Sequence, residues 1–253
     1  MTAIVMVHGA FCGAWAFERF RMPFETAGFE VIAPNLRGHG EADPENAVVG
    51  LSMSDYAADV ARLCDGLPEP PVLLGHSMGG LVAQLAARRT RIQALVLLAP
   101  SPPWGVAGSS LEEAATAFGV QMMGAFSSGA LQPDRSLMRT YSLDRMSKAD
   151  QSEAVARLRP ESAQAVRETL NWWLDPFMTT SVGPGAIVAP SLVICGEGDV
   201  VHSPATAKST AERIGATFKV MPRMSHWLVG EPGWETVAQA ALRWLAEEVS
   251  LAA

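Results

Sequence analysis

The junction between the apolar run Pro71-Val72-Leu73-Leu74 and Gly75-His76-Ser77-Met78-Gly79-Gly80 constrains the fold of this chain more than any other segment. A Gly-x-Ser-x-Gly sequence that closes a buried-type strand and opens a helix forms a tight elbow, with its serine projecting above the sheet edge. The flanking glycines let the backbone turn sharply. Leu81-Val82-Ala83-Gln84-Leu85-Ala86-Ala87 then reads as a helix packed beneath the turn. An ordinary Gly-rich turn with a capping serine fits the same pattern, so the reading of Ser77 depends on partners elsewhere.

Apolar runs of the same kind recur at Ala3–Val7, Phe29–Ala33, Val72–Leu74, Ala94–Leu98, Leu192–Cys195 and Thr217–Val220. Continuous runs suit parallel strands covered on both faces. Helical patterns fit between them at Ala14–Ala27, Ser54–Gly66, Leu81–Arg88, Pro204–Ile214 and Glu235–Val249. This alternation predicts an α/β fold, a doubly wound and mostly parallel sheet of about six strands with right-handed crossovers. A chain of 253 residues, 49% of them hydrophobic, is long enough for one such domain with an insertion. The insertion falls between Pro100 and Pro190, where no strand is expected and helices are expected at Leu111–Phe126, Lys148–Leu158 and Ser162–Leu174. The expected organisation is a core of residues 1–100 and 190–253, with 101–189 inserted between two core strands.

Several classes of protein are excluded. The formal charge of −7 and the absence of a Lys/Arg cluster argue against a nucleic-acid partner. Cys12, Cys64 and Cys195 are an odd number without metal-ligand spacing, which points to reduced thiols and a cytoplasmic location. The first residues lack a basic n-region and read as a strand, not a signal peptide. No apolar stretch is long enough for membrane insertion.

A serine hydroxyl becomes a nucleophile when a base takes its proton and a third group orients that base. Of the five histidines, His226 follows the last strand pattern on a loop at the strand's carboxyl end, the edge where ligands bind in open α/β sheets. His76 adjoins Ser77 but points away on a tight turn, and His8 braces the loop after the first strand. His39 belongs to a Gly-rich loop, with a solvated or structural role, and His202 lies near the site without acting as base. Asp199 ends Leu192–Asp199 at a strand's carboxyl end and is the preferred acid, with Glu197 as rival; Asp175 reads as a turn residue. Negative charge growing on an attacked carbonyl oxygen needs donors. The Met78 N–H supplies one and the loop His8–Gly13 the other, with Ala10 chosen and Phe11 the alternative. The expected pocket residues are Phe11, Trp104, Met122, Phe126, Trp173 and Trp227.

Taken in order, His8-Gly9-Ala10, Pro34–Gly40, Gly75–Gly80, Gly196-Glu197-Gly198-Asp199 and Ser225-His226-Trp227 resemble the motifs of the α/β-hydrolase family over nearly the whole chain. The resemblance implies an α/β-hydrolase fold with a helical cap, a triad of Ser77, Asp199 and His226, and oxyanion donors at Ala10 and Met78. His8–Trp15 is similar to the small plant-methylesterase and hydroxynitrile-lyase branch, and the resemblance implies a sheet without the family's N-terminal antiparallel strands. Asn35 stands where many members carry an acidic residue, a departure that bears on loop anchoring.

Serine at the elbow argues against haloalkane dehalogenases and epoxide hydrolases. Trp227, where hydroxynitrile lyases carry lysine, argues against a lyase. The resemblance therefore implies a serine esterase acting on a small-molecule ester with an apolar part, with neither metal nor organic cofactor. Carbon–carbon bond hydrolases, lactonases, thioesterases and perhydrolases share the constellation, as would a non-catalytic receptor on this fold. An Arg-lined pocket, drawing on Arg135, Arg139, Arg157, Arg159 or Arg167, would favour the carbon–carbon reaction.

Overall fold

The computed structural model describes residues 1–109, 113 and 129–249. Six parallel strands form the main sheet: β1 (Ala3–Val7), β2 (Glu30–Ile32), β3 (Val72–His76), β4 (Ala94–Leu98), β7 (Ser191–Gly196) and β8 (Thr217–Met221). Their order is β2-β1-β3-β4-β7-β8, so β3, which carries the elbow, sits centrally with its neighbours β1 and β4 in parallel register. Strands β1, β3, β4 and β7 are buried throughout, as continuous Val/Leu/Ile runs require. The edge strand β8 is largely exposed and has neighbours on one side only.

Helices cover both faces, dividing the apolar residues into two clusters. Helix α2 (Met53–Asp65) and α3 (Met78–Ala87) bury Tyr56, Val60, Leu81 and Leu85 against one face. Helices α1 (Arg21–Thr26) and α7 (Trp234–Glu248) pack Phe24, Val237, Ala241 and Leu245 on the other. Ser52 caps α2 in a reciprocal capping box with Asp55. Ser203 caps α6 (Pro204–Ile214), which has proline in its first turn and ends on left-handed Gly215.

Two departures from the expected elements have physical causes. The expected helix Ala14–Ala27 is a 3₁₀ turn at Ala14–Phe17 followed by α1. Pro23 has no N–H for the carbonyl of Arg19, so the helix restarts with proline in its first turn, while Phe17, Phe20 and Phe24 keep one buried face. The interval between β4 and β7 also contains strand: β5 (Ala130–Leu131) and β6 (Glu161–Ser162) pair antiparallel. Two residues per strand are too short to show a period in sequence. Helices α4 (Lys148–Ala156) and α5 (Ala163–Leu170) occupy the expected positions nearby. The expected helix Leu111–Phe126 lies outside the described residues, apart from Glu113.

Candidate active site

The elbow is built by close approach. A Cβ on Gly75 would lie 2.3 Å from the carbonyl oxygen of Gly79, and one on Gly79 would lie 2.3 Å from the carbonyls of both Val7 and His8. The positive φ of the turn falls on Ser77 itself, at 54°. The flanking glycines let the turn close by admitting neighbouring backbone, while the serine itself carries the strain. Hydrogen bonds from Ser77 N to Leu98 O (3.0 Å), from Gly80 N to Ser77 O (2.8 Å) and from Ser101 N to Ser77 O (3.0 Å) hold it.

Ser77, His226 and Asp199 form one hydrogen-bonded line. His226 Nε2 is 2.9 Å from Ser77 Oγ, and His226 Nδ1 is 2.9 Å from Asp199 Oδ2. With Nδ1–H donating to the carboxylate, Nε2 presents its lone pair to the serine hydroxyl. Asp199 Oδ1 accepts from the backbone N–H groups of Val201 (2.8 Å) and His202 (2.9 Å). Burial pushes the Asp199 carboxyl up, but His226, its hydrogen bond and His202 outweigh burial and hold it below the usual carboxylate range. Glu197 lies on the exposed side, where its carboxylate accepts from the Arg223 N–H at 3.1 Å and makes no contact with His226.

The other histidines occupy distinct places. His76 Nε2 donates to the backbone carbonyl of His226. His8 accepts from Leu36 N at Nε2 and donates from Nδ1 to Gly9 O, so it ties the first loop to the Pro34–Gly40 loop. His202 lies 2.9 Å from Ser101 Oγ and edge-on to His226; burial and His226 push it down to about 4, so its ring is neutral. His39 is buried, not solvated, and faces Glu161. Asn35 Oδ1 accepts from Ala14 N at 2.7 Å, anchoring the loop after β1. Asp175 accepts from the N–H groups of Phe177 and Thr179, as a turn residue does.

Ala10 and Met78 border the space above Ser77 Oγ, and neither backbone N–H has a partner among the described residues. Met78 is the first residue of α3, where an N–H lacks an intrahelical acceptor. The Phe11 N–H is directed to Glu161 Oε2 at 3.4 Å, which takes it away from this space.

A cavity of about 530 Å³ opens here. Of the expected pocket residues, Phe11, Trp173 and Trp227 line it. Trp104 does not: its ring packs edge-on behind Trp172, 5.3 Å between centroids, and Trp172 takes the cavity wall. Met122 and Phe126 lie outside the described residues. Leu137, Met138, Tyr141, Val166 and Leu170 also line the cavity. The i, i+4 spacing of Val166 and Leu170 on α5 is the signal that could have found two of them. None of the five candidate arginines lines it; Arg157 pairs with Glu18, and Arg159 donates to backbone carbonyls of Glu41 and Asp43. Among the described residues no group of His, Cys, Asp or Glu could hold a metal ion, and no helix is long and apolar enough to cross a membrane.

An open parallel sheet with a serine elbow at its carboxyl edge defines a class of α/β proteins. Residues 4–240 match the alpha/beta hydrolase family, and the chain belongs to that family. It is 35% identical to Methylesterase 3 of Arabidopsis thaliana over 86 residues, covering 33% of this chain and 32% of that protein. It is 38% identical to a non-heme chloroperoxidase of Streptomyces lividans over 104 residues, covering 40% and 37%. These matches span about a third of each relative's own length. The crystal structure of an Arabidopsis methylesterase superposes with a TM-score of 0.75 at 20% identity, over 97% of this chain and 99% of the other, and shares the fold.

Proposed function

We propose that the chain is a serine hydrolase that cleaves carboxylic esters with an apolar acyl or alcohol part. The observation that carries this reading is the Ser77–His226–Asp199 line, with 2.9 Å at both bonds, opening on a largely apolar cavity. His226 Nε2 takes the proton of Ser77 Oγ as that oxygen bonds to the substrate carbonyl carbon. The N–H groups of Met78 and Ala10 hold the oxyanion, and Asp199 stabilises the imidazolium. His226 then returns the proton to the leaving alcohol, and a water activated by the same nitrogen releases the acid. Residues 101–189 form a cap on a core of 1–100 and 190–253, and its side chains select the substrate. Likeness to methylesterases supports ester cleavage, and the missing arginine wall gives no support to carbon–carbon hydrolysis. The three free cysteines are buried, and burial pushes Cys64 and Cys195 up to about 12, in keeping with reduced thiols in the cytoplasm.

Intact-mass analysis after fluorophosphonate treatment tests the reading, combined with rates on a panel of esters, lactones and thioesters. One adduct per chain is expected, absent in Ser77→Ala, with turnover lost in that variant. Ester cleavage retained by Ser77→Ala would remove the assignment.

A further inference from the structure

Glu161 is a fully buried carboxylate to which the mechanism above gives no task. It stands on β6, which falls between β4 and β7 in sequence, and gathers donors from separated segments. His39 Nε2 reaches Oε2 at 3.0 Å, Tyr56 OH reaches Oε1 at 2.7 Å and Ser162 N reaches Oε1 at 2.8 Å. The other His39 nitrogen, Nδ1, lies 3.2 Å from the carbonyl oxygen of Arg37. A ring with a carboxylate at one nitrogen and a carbonyl at the other needs hydrogen on both, so His39 is an imidazolium. Burial opposes both charges; their mutual attraction overcomes it, raising His39 and lowering Glu161 from their ordinary values.

The remaining donor to Glu161 is the Phe11 N–H, and Phe11 is strained. Its φ is 63°, and a bond from Cys12 N to Gly9 O closes a turn with Phe11 at the position that favours glycine. Both polar groups of Phe11 are taken by the segment 159–161: its N–H by Glu161 Oε2, and its carbonyl by Arg159 N at 2.9 Å. We infer that Glu161, held by His39 and Tyr56, is a positioning residue that clamps Phe11 and so fixes the direction of the Ala10 N–H. The inserted segment then supplies the support for the oxyanion site as well as a wall of the cavity. This inference rests on the serine-hydrolase reading.

The test is steady-state ester hydrolysis in Glu161→Gln, Ala10→Pro and the Glu161→Gln/Ala10→Pro double variant, with kcat expressed per serine titrated by fluorophosphonate, and in Ser77→Ala, with the rate expressed per mole of protein. Ala10 has a negative φ and stands at the turn position that proline favours, so Ala10→Pro deletes the N–H while suiting the turn. Loss of one oxyanion donor is expected to lower kcat about 100-fold. Glu161→Gln is expected to lower kcat roughly 10- to 30-fold with KM within about twofold, the pattern of an interaction made only in the transition state. Added to Ala10→Pro, it should lower kcat by less than about threefold more, because the donor it aims is gone. A Glu161→Gln kcat within about threefold of wild type overturns the clamp, as does its full loss repeated in the Ala10→Pro background. Turnover in Ser77→Ala overturns the hydrolase reading instead. If Glu161→Gln gives too few titratable sites, Tyr56→Phe carries the test. It should lower kcat about three- to tenfold at constant KM, and a change below about twofold overturns the clamp.

Discussion

His76 Nε2 and the backbone carbonyl of His226 are 2.9 Å apart, so the residue before the serine braces the residue that faces it. Burial, and then His226, push His76 down to about 3, leaving a neutral ring that donates through Nε2. The rings lie 5.1 Å apart, with Trp227 edge-on to His76. The elbow and the histidine loop therefore meet twice, once through Ser77 and once behind it.

His76→Phe keeps a ring in this position and removes the donor. The His226 carbonyl keeps the Leu228 N–H at 2.9 Å, so loss of the second donor should cost about 0.5–1.5 kcal/mol, seen as a lower Tm. Loosening the base should also lower kcat about tenfold. A lower Tm with unchanged kcat would limit the bond to stability.

The choice between the two candidate acids is sharp. Asp199→Asn should lower kcat by roughly 10⁴, as it does in a known triad, because the amide favours the wrong tautomer of the histidine. Glu197→Gln should leave kcat within about twofold, since its exposed carboxylate accepts from the Arg223 N–H and has no hydrogen bond to His226. Stopped-assay rates on one ester decide the matter, and a reversed order would move the acid to Glu197.

Gly79→Ala should disrupt folding. Its Cβ would stand 2.3 Å from two backbone carbonyls at the end of β1, which no side-chain rotation can relieve. A loss of more than about 3 kcal/mol, or insoluble protein, is expected. Gly183→Ala, where nothing lies within 4 Å, should change stability by less than about 0.5 kcal/mol. Denaturant melts of the two variants make the comparison.

Glu231 gives stability a pH dependence of unusual sign for a carboxylate. Its Oε1 accepts from Ser225 N at 2.7 Å, while its buried Oε2 has no partner among the described residues. Burial pushes the group up to about 7. Below the unfolded-state value both states are protonated and the group is neutral towards folding. As pH rises to about 7 only the unfolded chain ionises, so stability falls across that window and levels off above it. Glu231→Gln should leave Tm unchanged at acidic pH and raise it at alkaline pH, equivalent to ~2–4 kcal/mol. Melts at the two extremes check this, and equal shifts at both would contradict it.

Much of the fold was legible because its strands are short continuous apolar runs. Val72–Leu74 and Ala94–Leu98 announce buried parallel strands, Ser77 and Asp199 come soon after such runs, and His226 lies on the loop after the exposed edge strand Thr217–Met221. Position at a strand's carboxyl end is a local property, so one sequence carries it. What was not legible depends on distant packing. Nothing around Glu161 signals that it meets Tyr56, 105 residues away, and Phe11, 150 residues away. Trp104 and Trp172 are equally apolar in sequence, and only their edge-on packing decides which faces the cavity. Pro23 carries a local signal that divides the first helical pattern, since proline has no N–H to give inside a helix.

The bonds that pin Ser77 come from Leu98 and Ser101, and its histidine from 149 residues further along. During synthesis, the elbow leaves the ribosome long before His226 does. On the proposed mechanism, a reactive serine therefore belongs only to a chain whose last sheet strand has been added. Covalent labelling of Ser77 would time the completion of folding, and truncated products would be chemically silent towards the esters around them.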